Sequence, residues 1–248
     1  MMLPIDLIFQ IHGVFGLAAI GFAAAAIVLA KGGRLHRLAG RGFLIAISVF
    51  FIAGMTVAFE RNNIFMMLVG ILAFYLALSG YRIHTIAQAG ASDYLKTWSR
   101  VGPIDKGSAQ FVLIASAAAT AWGLDGWTRE PQAMGLIVLG LGGATLAIGD
   151  LRRFRQQSWR WSTQLRHHGG RMVAAVLTMA IGFTSVSFSA WPFWLRLSVA
   201  CMLAIGCLLL LDRWLKGWAE KNDEETVGQV MKNKNNGGSG DHDTGTRC

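Results

Sequence analysis

Residues 7–59 read LIFQIHGVFGLAAIGFAAAAIVLA, then KGGRLHRLAGR, then GFLIAISVFFIAGMTVAF. Two apolar runs flank a short stretch holding Lys31, Arg34, Arg37 and Arg41 and no carboxylate. An α-helix needs about 20 apolar residues to cross the hydrocarbon core of a bilayer. Cations packed into a short gap between two such runs mark a loop kept at the cytosolic membrane face. The stretch therefore predicts two spanning helices joined on the cytosolic side.

Working outward, the same reading gives seven apolar segments: 7–30, 42–59, 64–81, 108–124, 134–149, 172–190 and 193–211. The fourth and fifth are short and rich in Ala and Gly, so they extend into flanking residues or sit inside the bundle. With the N-terminus outside, the cytosolic loops and tail take twenty of the 23 Lys and Arg residues, and only Arg61, Arg129 and Arg196 fall outside. That asymmetry sets the orientation, N-terminus out and C-terminus in. No Lys or Arg precedes Lys31, so the first segment reads as a retained helix rather than a cleaved signal peptide. The nine tryptophans, from Trp98 to Trp218, all fall in loops or at predicted helix ends. Indole rings favour that headgroup level, where the ring is half apolar and the N–H is wet. The expected architecture is all-α: a seven-helix transmembrane domain over 1–215 and a polar tail over 216–248. The tail is too poor in apolar residues to bury a core and reads as disordered.

Composition agrees. Of 248 residues, 53% are hydrophobic and 15% charged, against about 25% charged in soluble domains. The net charge of +9 comes from loops rather than from a basic domain, which excludes nucleic acid as a partner. Cys201, Cys207 and Cys248 have neither zinc nor disulfide spacing. Small residues at helical spacing, Gly13, Gly16 and Ala19 in the first segment and Gly140, Gly143, Ala144 and Ala147 in the fifth, predict close helix packing. Residues 85–102 could carry a short interfacial helix, ended by Gly102 and Pro103.

No Gly-rich phosphate loop, nucleophile elbow or acidic metal cluster appears, so no reaction is assigned. No charged residue is central to a predicted span, which argues against an ion-coupled carrier. Histidines remain. His12 is the only one inside a span, on the outer side, where a hydrogen bond to a neighbouring helix and a ligand contact are both open readings. His36, His84 and His168 (with His167 beside it) lie at the cytosolic ends of three helices. Matching depth is what a bis-His haem requires of its axial ligands, and neutral imidazoles also hold metals. His12 is ~20 Å away along the membrane normal, from the 1.5 Å rise per helical residue, so a second haem pair has no partner. Arg37, Arg41 and Arg171 beside these histidines are candidate contacts for anionic groups. HRLAGR, from His36 to Arg41, and HGGR, from His168 to Arg171, share a form, which hints at an internal repeat and equally fits two copies of a cytosolic membrane boundary.

KGGRLHRLAGRGF after an IHGVFG helix, then LVGILAFYLALSGYR, DLRRFR and LRHHGGRMVAAVLTMAIGFTSVSF, together resemble a bacterial family of predicted membrane proteins catalogued as domain of unknown function 2306. The resemblance spans about residues 6–215. The positions that look like the family's pattern are His12, Lys31 to Gly33, His36, Arg37, Gly40, Arg41, His168, Arg171 and Met172. The family implies a multi-pass fold in a bacterial inner membrane and brings no established activity.

Two function classes follow. One is a redox or haem-b-binding membrane protein with its site near the cytosolic face. The other is a non-enzymatic bundle that binds lipid, a small molecule, a partner membrane protein or a second copy of itself, with the His-Arg blocks on phosphate headgroups.

Overall fold

In the computed structural model the chain leaves its first apolar run through Gly32, whose φ of +75° only glycine adopts without strain. Gly33 then starts the next helix in an extended conformation. The structure describes residues 4–30, 32–89, 101–129, 132–155 and 161–187, with isolated positions 191, 192, 195, 198, 199, 202, 206 and 213.

Six helices make up the described fold: α1 (Ile5–Val28), α2 (Arg34–Glu60), α3 (Ile64–Ala89), α4 (Pro103–Asp125), α5 (Ala133–Arg153) and α6 (Trp161–Ser187). No strand occurs among the described residues. All six are long and apolar enough to cross a membrane. Most of the segment 193–211, the whole tail over 216–248 and all three cysteines lie outside the described residues, as does most of the 85–102 segment.

The apolar segments mark where lipid-compatible chain begins, but the helices run past them into polar residues. The second was expected at 42–59; α2 begins at Arg34 and takes in His36, Arg37 and Arg41. Nothing between Arg34 and Gly42 breaks a helix, and 27 residues at 1.5 Å each give about 40 Å, the full bilayer with its headgroup layers. The fourth and fifth segments grow likewise, α4 back to Pro103 and α5 on to Arg153. Gly102 and Pro103 start α4. Pro103 stands in the first turn, where its missing N–H costs nothing, and Asp105 Oδ2 accepts the Gly102 N–H at 2.9 Å. Asn62, at φ 49°, reverses the chain after α2. Asn63 then caps α3 by accepting the Met66 N–H on Oδ1 at 3.0 Å.

α3 is the hub. One apolar cluster joins α1, α2, α3 and α6 through Ala19, Phe43, Ile47, Ala73, Ala77 and Ala175. A second joins α3, α4 and α5 through Phe65, Leu72, Val112, Ala119 and Leu136. Small residues set the closest approaches. A Cβ on Gly140 would meet the Ser116 carbonyl at 2.8 Å, and one on Gly143 would meet Ser116 Oγ and Leu72, so α4 and α5 touch almost backbone to backbone. On α1, Gly16 takes the Phe50 ring and Ala19 is fully buried, while Gly13 and Gly21 have open space beside them.

Candidate functional site at the basic end of the bundle

The C-terminal ends of α1, α3 and α5 and the N-terminal ends of α2, α4 and α6 gather at one end, which carries most of the described arginines. There Arg171 of α6, only 5% exposed, points into the bundle. Its Nη2 donates to Asp150 Oδ1 at 2.5 Å, and its Nη1 donates to Ser79 Oγ at 2.5 Å. Asp150 of α5 is 4% exposed, and its other oxygen accepts the Tyr75 hydroxyl in a short hydrogen bond. The Arg171 guanidinium lies 5.7 Å from the Tyr75 ring centroid. Arg153, a turn further along α5, reaches the same Asp150 oxygen at 3.7 Å. A buried charge is tolerated where its hydrogen bonds are made, and here a phenol and a hydroxyl from α3 and a guanidinium from α6 make them around the α5 carboxylate.

A second pair joins α3 to α4. Arg82 donates through Nε to Asp105 Oδ1 at 2.8 Å and through Nη2 to Oδ2 at 2.7 Å. This bidentate fork also holds the residue that accepts the Gly102 N–H.

The histidines fall into two kinds. His168 Nδ1 is 2.8 Å from the Gly80 carbonyl, and His36 Nδ1 is 3.0 Å from the Ala26 carbonyl. A carbonyl can only accept, so Nδ1 carries the proton in both and the neutral ring has its lone pair on Nε2. His167 is the opposite: Arg153 Nη1 donates to its Nδ1 at 3.3 Å, which puts the neutral ring's proton on Nε2. Adjacent histidines thus hold opposite tautomers. His168 sits at a close approach of α6 to α3, where a Cβ on Gly80 would lie 3.1 Å from Arg171 Cβ and 3.3 Å from Met172 Cε.

His12 stands toward the other end. Its Nδ1–H donates to the Phe50 carbonyl at 3.0 Å, its ring stacks on Phe50 at 4.0 Å, and Gly54 leaves the space for it. His84 falls on α3, with its side chain outside the described residues. Arg37 bonds the Gly32 carbonyl at the mouth of α2, and Arg41 is exposed. Arg171, a candidate contact for an anionic group, meets the chain's own Asp150 carboxylate. No cluster of three His, Cys, Asp or Glu side chains suited to a metal occurs among the described residues.

Sequence reasoning missed Asp150, Tyr75, Ser79 and Asp105. Asp150 was set one residue beyond the fifth segment and Asp105 three before the fourth, so neither counted as intramembrane. One signal was available: Asp150 is the sole carboxylate between 149 and 172, a stretch with six arginines.

Six helices of spanning length and composition define a multi-pass α-helical membrane protein. No family model matches the chain, and neither a curated protein nor a solved structure matches it.

Proposed function

We propose that the chain is a seven-span protein of a bacterial inner membrane, N-terminus out and C-terminus in, that binds haem b near its cytosolic face. His36 and His168 are its axial ligands and His84 the third candidate. The observation that carries this reading is the orientation of the two imidazoles. Each holds Nδ1–H on a backbone carbonyl, at 3.0 and 2.8 Å. That is the outer contact which fixes a ligating histidine's tautomer and directs Nε2 at a metal. A haem held there would supply one-electron chemistry.

The test is a visible spectrum of the protein purified in mild detergent, before and after haem reconstitution. A Soret band is expected. His36→Ala and His168→Ala remove it, and His12→Ala leaves it. Absence of the band after reconstitution defeats the reading. A C-terminal reporter active only in the periplasm would reverse the orientation.

A second reading is a non-enzymatic bundle that binds lipid, a small molecule or a partner membrane protein. Its support is the row of exposed arginines at the same end: Arg37, Arg41, Arg152, Arg155 and Arg166. These suit phosphate headgroups. Under that reading the protein gives no Soret band and binds vesicles in proportion to their anionic lipid.

A further inference from the structure

The six helices fall in one compact unit, within which two bodies share α3. α1, α2, α3 and α6 form the larger, where α1 packs closely on α2 and α6 closely on α3. α4 and α5 pack closely on each other and together pack on α3 about as much as α2 does, while α5 is not among the close neighbours of α6. Within the pair, Gly123, Gly140 and Gly143 bring the two backbones together. A glycine-tight contact has no slack for sliding, so α4 and α5 behave as a single rod pair.

What ties this pair to the rest differs along its length. Away from the basic end the contact with α3 is apolar, made by Phe65, Leu68 and Leu72 with Val112, Ala119 and Leu136. At the basic end ion pairs join the apolar contact, which runs on through Tyr75, Ala109 and Ala147. Arg82 grips Asp105 of α4, and Arg171 and Tyr75 grip Asp150 of α5, while Arg153 of α5 leans on His167 of α6.

We propose that α4 and α5 swing as one rigid unit about α3, and that Asp105–Arg82 and Asp150–Arg171 are the clasps that hold them closed. The seam that opens lies between α5 and α6, beside His167 and His168. The proposal does not rest on haem binding.

The energetics favour a clasp over a weld. An ion pair buried from water gives back in attraction little more than its desolvation cost. Asp150 stands three residues before the end of α5 and Asp105 in the first turn of α4. A modest separation therefore returns both carboxylates to the aqueous boundary, where each charge regains its hydration. Closed and open arrangements then differ little in free energy, as a two-state element requires.

Distance measurements between spin labels test this in nanodiscs, in full-length protein with Cys201, Cys207 and Cys248 replaced by serine. Labels at Leu38→Cys on α2 and Ile148→Cys on α5, both exposed, report across the two bodies. Labels at Phe22→Cys with Leu38→Cys, and at Phe111→Cys with Leu141→Cys, report within each body. In D105N/D150N the cross-body pair should gain a longer population several-fold above the parent's, with both within-body pairs unchanged. An unchanged cross-body distribution overturns the proposal, and so does broadening of all three pairs together, which marks general loosening. If the double variant fails to fold, R82Q alone must raise the longer population, because it releases the more exposed clasp; no rise there also overturns the proposal.

Discussion

Arg171 and Asp150 stand 21 residues apart on helices that scarcely pack against each other, yet their side chains meet at 2.5 Å inside the bundle. The bond is possible because α3 passes beneath both. Ser79 takes the second Arg171 nitrogen and Tyr75 the second Asp150 oxygen. α3 thus serves as a template on which two other helices exchange charge.

Removing one partner should be worse than removing both. D150N or R171Q strands a buried charge and should cost about 3–5 kcal/mol, whereas the volume-matched D150L/R171M returns most of that loss. Thermal unfolding in detergent orders the three. A double variant less stable than either single would contradict the pairing.

Two glycines two residues apart on α5 should answer alanine oppositely. Gly140→Ala drives a Cβ onto the Ser116 carbonyl at 2.8 Å, a backbone atom that cannot turn aside. It should cost about 1–3 kcal/mol. Gly142 has nothing within 4 Å, so Gly142→Ala should be neutral or stabilise by up to about 1 kcal/mol through helix propensity. Melting temperatures of the two variants check the contrast.

Gly80 should act on the site more than on the fold. Gly80→Leu pushes α6 off α3 where His168 and Arg171 bond to Gly80 and Ser79. If His168 ligates haem, the Soret band weakens in Gly80→Leu and stays near the parent's in Gly142→Ala. Equal bands in both would separate His168 from ligation.

His12 should prove to be a packing residue. His12→Phe keeps the stack on Phe50 and loses one hydrogen bond to its carbonyl, a loss of about 1 kcal/mol. His12→Ala loses the ring as well and should melt lower than His12→Phe. Equal melting of both would show that the stack contributes nothing.

The sequence alone determined that the chain is helical and built of membrane-length segments. Apolar run length and loop composition are properties of contiguous residues, so residues 7–59 were enough to read the first helix pair. It also singled out His36, His168 and Arg171 as residues at helix entrances, since their place beside an apolar run is local too. It stopped the second segment where apolarity stopped, whereas α2 runs back into polar residues because the backbone ladder continues wherever no residue breaks it; α4 and α5 extend into flanking residues, one of the two outcomes expected of them.

Only the tertiary structure decided what those end residues do. Asp150 and Arg171 meet because α3 holds α5 and α6 in register, and Arg82 reaches Asp105, 23 residues further along the chain. The tautomers of His167 and His168 likewise follow from Arg153 on another helix and Gly80 on a third. Pairings of this kind lie between helices, and no local pattern in the chain encodes which faces will meet.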